Sequence, residues 1–296
     1  MTYVATIGFF DGVHVGHQYL LQQLRDCATA RQQKSLVISF DQHPRKVLNS
    51  DFQPQLLTDN AEKETLLRNQ QIDKIEFLNF TPEMSHLTAA EFMRHVLVEK
   101  LHVKTLLMGY DHRFGSDRLT DFSDYEQIAK TLGMELIRQE QFIASGQHVS
   151  SSQVRALIAD SRLEQANELL GHAYTLSGKV VKGFQVGREI GFPTANIQPS
   201  HPEKIIPPTG VYAVEVELAQ RCYLGMLNIG VRPTIHAHAA QSIEVHILDF
   251  DQKIYHERID VRLLKKLREE QKFPNIEALK RQLVADRKQV RNVFRN

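Results

Sequence analysis

The stretch from Thr6 to Leu24, TIGFFDGVHVGHQYLLQQL, constrains the fold more than any other part of this chain. Val4, Ala5, Thr6 and Ile7 form a short apolar, partly β-branched run of the kind a buried parallel strand shows, and Gly8 and Gly12 bracket a tight exit from it. Leu20, Leu21, Leu24 and Ala28 then recur at helical spacing. The order is therefore strand, glycine loop, helix, with His14, Gly16 and His17 at the helix N-terminus. Free backbone N–H groups and the helix dipole attract anions there, so the stretch predicts a nucleotide phosphate site. No serine or cysteine stands beside the histidines as a nucleophile, and the spacing matches neither a Gly-x-x-x-x-Gly-Lys-Ser/Thr loop nor a His-Glu-x-x-His zinc helix.

The rest of the first half continues the alternation. Ser35 to Phe40 reads as a second strand, Thr58 to Gln70 as an amphipathic helix, Ile75 to Phe80 as a third strand and Thr88 to Lys100 as a helix with Ala89, Phe92, Met93 and Val96 on one stripe. Val103 to Met108 predicts a fourth strand running into Gly-Tyr-Asp-His-Arg-Phe-Gly at 109–115, and Glu135 to Arg138 a short edge strand. Val149 to Arg155, VSSSQVR, opens a helix with hydroxyls that suit its N-cap, and Leu163 to Leu170 is a further short helix.

From Gly171 the pattern changes to consecutive strands, which puts a domain boundary between 170 and 171. Ser177 to Lys182, Val211 to Leu218, Cys222 to Ile229, Ser242 to Leu248 and Lys253 to Leu263 are strand candidates separated by Gly, Pro and Asp turns, and they predict a small antiparallel barrel of roughly six strands. Ile243, Val245 and Ile247 should face one way, with Glu244 and His246 facing a barrel mouth or solvent. Glu269 to Val290 reads mostly as helix, broken at Phe273 to Asn275.

With 296 residues, 42% hydrophobic and 24% charged, the chain has room for two ordinary globular domains. A net charge of +1 argues against a nucleic-acid or membrane-surface partner. Cys27 and Cys222 are too few and too far apart for a disulfide framework or zinc knuckle, and are expected as buried small hydrophobes in a reducing cytoplasm. No apolar segment is long enough to span a bilayer and no leader pattern opens the chain, so neither export nor membrane insertion is expected.

The run GxFDGVHxGHxxLL at Gly8 to Leu21 resembles the His-x-Gly-His nucleotidyltransferases, and within them the prokaryotic bifunctional riboflavin kinase/FMN adenylyltransferase (FAD synthetase) family. Further segments extend that resemblance over nearly the whole chain, in order: Phe40 to Arg45, Gly109 to Gly115, Val149 to Arg155, Gly178 to Asn196 with its Pro-Thr-Ala-Asn, Asn228 to Thr234 and Glu244. Departures are Gln42 where Pro is common, Ser152 for Thr, and Ser116 to Asp121 in place of a Lys-Gly-Arg-x-Gly-Asp run.

The resemblance implies an α/β Rossmann-like nucleotidyltransferase domain at 1–170 and a small antiparallel β-barrel riboflavin kinase domain with a C-terminal helix at 171–296. It implies that riboflavin is phosphorylated to FMN with ATP and Mg²⁺, and that FMN is then adenylylated to FAD. His14, His17 and Arg155 would act on the phosphates of the first domain, and Glu244 would be the catalytic base of the second. Gly8, Phe9, Asp11, Gly12, Gly16, Ser151, Ser152, Gly178, Lys182, Gly183, Gly187 and Pro193 would surround ATP. Asp111, Arg113, Asn228, Arg232 and Thr234 would contact flavin, and Thr194 and Asn196 would hold Mg²⁺. A kinase with a degenerate first half and a non-enzymatic flavin-binding regulator stay open as alternatives at this level.

Overall fold

The computed structural model describes residues 2–110, 112–140, 142–144, 147–183, 186–231 and 241–294, so Asp111, Arg232 and Thr234 lie outside the described residues. The chain divides into two compact units, Met1–Ser151 and Ser152–Asn296.

The first unit is a parallel sheet. Strands β1 (Tyr3–Ile7), β2 (Lys34–Phe40), β3 (Lys74–Leu78), β4 (Val103–Met108) and β5 (Glu135–Arg138) stand in the order β3-β2-β1-β4-β5, all four pairings parallel. Side chains alternate across the sheet because the strand period is two. Ala5, Ile7, Leu36, Ile38, Leu106 and Met108 enter one core, and Val4, Val37 and Leu107 enter the other. Helices α1 (Val15–Ala30), α2 (Pro44–Leu48), α3 (Asn60–Asn69), α4 (Pro82–Ser85), α5 (Ala89–Glu91) and α6 (Phe122–Thr131) connect the strands, α5 running on as π-type turns at Phe92–Lys100. Leu21, Leu24 and Ala28 of α1 and Leu67 of α3 cover the second core, and Phe92, Met93, Tyr125 and Ala129 cover the first. The α3 helix begins two residues after the expected Thr58, because Asp59 and Glu62 close a capping box there. A two-stranded ribbon, β6 (Ile143–Ala144) and β7 (Gln147–His148), follows.

In the second unit, α7 (Ser151–Ala159) and α8 (Leu163–Leu170) precede a closed barrel. Its strands are β8 (Tyr174–Val181), β9 (Ala195–Pro199), β10 (Gly210–Leu218), β11 (Arg221–Val231), β12 (Gln241–Ile247) and β13 (Arg258–Arg268), with short helix α9 (Val186–Glu189) after β8 and α10 (Ile276–Val293) last. The order is β10-β11-β12-β9-β8-β13, antiparallel throughout and closed by β13 on β10. A Cβ on Gly225 would meet Val214, Val216 and Val245 at 3.0–3.1 Å, so glycine is what the barrel interior admits there.

Three expectations need correction. The last strand is Arg258–Arg268 rather than Lys253 to Leu263, and the helix starts only at Ile276. Its start follows from Asn275, whose side chain caps Ala278 N–H. Cys27 is half-buried and Cys222 exposed, the latter because it pairs with Glu217 beside the turn of the β10–β11 hairpin. Strand β9, which carries the end of Pro-Thr-Ala-Asn, has no alternating signature, since Asn196 and Ile197 are both buried.

Candidate active sites

At the end of β1 the backbone turns through three residues in the left-handed region, Phe10 (φ 53), Gly12 (φ 77) and Val13 (φ 40). Such a φ is costly for a β-branched valine and needs surrounding structure to hold it. Asp11 supplies that structure. Its buried carboxylate accepts from the backbone N–H groups of Leu57 and Thr58, at 3.0 Å each, and from the Thr58 hydroxyl. Gly12 N–H donates to the same hydroxyl oxygen at 3.1 Å, and the Asp11 carbonyl accepts from Ser151 at 3.0 Å. Asp11 therefore shapes the loop by joining it to Leu57 and Thr58.

His14 caps α1, its Nδ1 accepting from His17 N–H at 3.3 Å. The two imidazoles stack, centroids 3.6 Å apart, and Phe10 meets His17 edge-on. Gly16 permits this close approach, since a Cβ there would lie 3.2 Å from His14 Nδ1. Burial, and then the neighbouring His14 and Lys63, push the His17 pKa well below the ordinary 6.5, so the ring is neutral at pH 7. His17 Nδ1 is buried with no hydrogen-bond partner among the described residues, an orphaned polar atom of the kind that awaits a ligand.

A cavity of about 280 Å³ joins His14, Gly16 and His17 to Gly109 and Tyr110 at the end of β4 and to Ser150 and Ser151. The sheet order explains the meeting. Strands run outward from β1 to β3 and then restart at β4 on the other side of β1, so the loops after β1 and β4 part at a topological switch point, where α/β sheets bind ligands. Gly8 lies at the same strand end and the Phe9 ring packs on His43. Arg113 is exposed, and the segment holding it is pinned by Tyr125, whose hydroxyl donates to Phe114 C=O at 2.7 Å. On α7, Ser152 is exposed and Arg155 Nη1 lies 3.5 Å from its hydroxyl.

In the barrel, strand register builds a polar row. Asn228 of β11 lies opposite Glu244 of β12, which lies opposite Asn196 of β9. The Thr194 hydroxyl donates to Glu244 Oε2 at 3.1 Å, which leaves the hydroxyl lone pairs for another partner. Hydroxyl, amide and carboxylate oxygens at one place fit a hard cation such as Mg²⁺. Gly183 presses against this row, for a Cβ there would lie 2.1 Å from Asn196 Nδ2. Similar close approaches occur at Gly178, against Gln198 C=O at 2.5 Å, and at Gly187, against Phe192 C=O at 2.3 Å. Lys182 is exposed beside Gly183.

His246 departs from the expected mouth or solvent position. It is buried on the outer face, 2.8 Å from the Pro193 carbonyl and against the Phe192 ring, because Phe192 packs with Val290 of α10 over this side of the barrel. Pro193, Thr194 and Arg188 also line a cavity of about 210 Å³, walled by inward-facing Val180, Ala195, Val245 and Ile247 and by the loop from Phe250 to Tyr255. Sequence reasoning missed Thr58, Tyr125, Arg188 and that loop. Arg188 lies within the Gly178 to Asn196 segment without standing out in it, and only their positions in space give the others a part.

A doubly wound α/β unit with a histidine-bearing loop, followed by a closed barrel with a polar row, is the architecture of a two-site transferase. An FAD synthetase family model matches residues 1–153 and a riboflavin kinase model residues 170–294. The chain belongs to the bifunctional riboflavin kinase/FMN adenylyltransferase family. Relatives of that name from Escherichia coli (strain K12) and Pseudomonas fluorescens are 39% and 38% identical, over 98% and 96% of this chain and 92% and 90% of their own. A crystal structure described as a macrolide-efflux protein from Streptococcus pneumoniae superposes with TM-score 0.88 at 30% identity, covering 98% of this chain and 94% of that one. Among the described residues no helix is long and apolar enough to cross a membrane.

Proposed function

We propose that this chain phosphorylates riboflavin to FMN with ATP and adenylylates FMN to FAD with release of pyrophosphate; its relatives are named bifunctional riboflavin kinase/FMN adenylyltransferase. The adenylyl-transfer residues belong to 1–170 and the kinase residues to 171–296. Cytoplasmic residence is part of the same proposal.

The observation that carries the reading is the Thr194–Glu244 hydrogen bond set between Asn196 and Asn228. Glu244 takes the proton of the ribityl hydroxyl as that oxygen bonds to the γ-phosphorus of ATP and ADP leaves. Bound Mg²⁺ would neutralise phosphate charge, held by Thr194 and Asn196. The adjoining cavity, with Arg188 and Pro193, suits the nucleotide. Asn228, Arg232 and Thr234 serve the flavin. Gly178, Lys182, Gly183 and Gly187 belong to the segment that receives the ATP phosphates.

In the first unit a phosphate oxygen of FMN bonds to the α-phosphorus of a second ATP and pyrophosphate departs. His14, His17 and Arg155 stabilise the charge on the phosphates, with Ser151, Ser152 and the Gly8–Gly16 loop around them. Neutral His17 has one N–H to donate and one nitrogen to accept. Asp111 and Arg113 serve the flavin phosphate. Chromatography of products from riboflavin, ATP and Mg²⁺ tests the whole: FMN followed by FAD supports it, FMN alone confines the chain to kinase activity, and neither product overturns it.

A further inference from the structure

Helix α3 carries one residue the two reactions do not use. Lys63 is 1% exposed, and its ammonium donates to two main-chain carbonyls, Phe40 at 3.0 Å and Phe9 at 3.3 Å. It also lies over the rings of Phe9, 4.1 Å from the centroid, and Phe77, at 5.3 Å. Among the described residues no carboxylate comes within ion-pair distance of it. A buried cation without an ion pair is costly, and evolution of stability alone would place methionine or leucine here.

The two carbonyls say what the charge does. Phe40 ends β2, and Phe9 belongs to the loop after β1, so one ammonium ties the ends of two adjacent strands directly under the histidine loop. Phe9 C=O also accepts from Ser39 at 3.2 Å, and the Phe9 ring, with Lys63 against it, stacks on towards His43 and Phe52. The charge is felt at His17, where it adds to burial and His14 in keeping the imidazole neutral. Burial lowers the Lys63 pKa to about 8, with Asp11 and Asp41 opposing the fall, so the cation persists at pH 7.

We propose that Lys63 is a positioning residue of the adenylyl-transfer site, whose buried ammonium fixes Phe9 and sets positive potential beneath the loop that receives the ATP phosphates. This rests on the assignment of that loop to ATP. A positive potential that acts on bound ATP and on the transition state alike lowers KM more than it raises kcat.

The test uses the full chain with Lys63→Met, which keeps the bulk, and Lys63→Gln, which keeps an N–H donor without the charge. KM for ATP in FAD formation from FMN should rise at least tenfold in both, kcat should change less, and riboflavin phosphorylation and the thermal midpoint should stay near wild type. Normal FAD kinetics in either variant overturns the proposal. So does a loss of FAD formation that only follows a loss of folded protein, measured by circular dichroism at the assay temperature. Wild-type protein that makes no FAD would instead remove the assignment of the loop.

Discussion

The loop after β1 stores strain in its own backbone, with Phe10, Gly12 and Val13 at positive φ, whereas the Asn228–Glu244–Asn196 row is made of extended residues that only strand pairing brings together. The loop of the first site is braced from beneath by Asp11, Thr58 and Lys63, all three buried. The second lies on the outer face of a barrel and depends on register. The difference teaches that one kind of phosphate chemistry can be positioned by buried polar anchors or by sheet geometry, and that the two fail differently.

The largest expected effect lies in the barrel. Glu244→Gln keeps size and a hydrogen-bonding carbonyl but cannot accept the proton, so riboflavin phosphorylation should fall roughly a hundredfold to ten-thousandfold. FAD formation from supplied FMN should persist, and a normal kinase rate would reduce Glu244 to a strand residue. Next comes His17→Ala, which should cost FAD formation roughly a hundredfold to a thousandfold while the kinase rate holds. Adenylylation within about threefold of wild type would show that the stacked imidazoles do not touch the reacting phosphates.

Asp11→Ala sharpens the contrast, because it removes the brace that holds the loop to Leu57 and Thr58. Leu57 and Thr58 lose their acceptor, which should destabilise the first unit by roughly 1–3 kcal/mol. Thermal unfolding reads this, and an unchanged midpoint would mean the strained loop holds itself. The smallest effect separates chemistry from folding. Asn167 of α8 donates to Leu263 C=O at 2.9 Å and accepts from Tyr174 N–H at 2.8 Å, with Leu163, Ala166 and Leu170 fully buried. A fragment 152–296 should therefore unfold at higher temperature than 171–296, by the roughly 1–2 kcal/mol that such contacts are worth. Equal midpoints would make α8 dispensable to the barrel.

Much of this was legible before any coordinates. The β1–loop–α1 unit follows from Val4 to Ile7, Gly8, Gly12 and the Leu20, Leu21, Leu24 spacing, all local signals. Glu244 and its inward neighbours Ile243 and Val245 follow from alternation. Strand β9 was not legible, because Pro193 and a single short segment leave no period to read. Lys63 left one trace: it stands one helical turn before buried Leu67, on the apolar side of α3.

The sequence by itself determined most of the strands and helices, the change from strand–helix alternation to consecutive strands, and which residue types could handle phosphate. These depend on neighbours within a few residues, and periodicity records them. Only the tertiary structure decided that Gly109 and Tyr110 share a cavity with His14 and His17, that Asn228 and Asn196 flank Glu244, and that Asp11 turns to Leu57 and Thr58. Each of these joins residues at least 16 positions apart in the chain, and strand order, register and burial are fixed by the collective packing of the whole unit rather than by any segment's own preference.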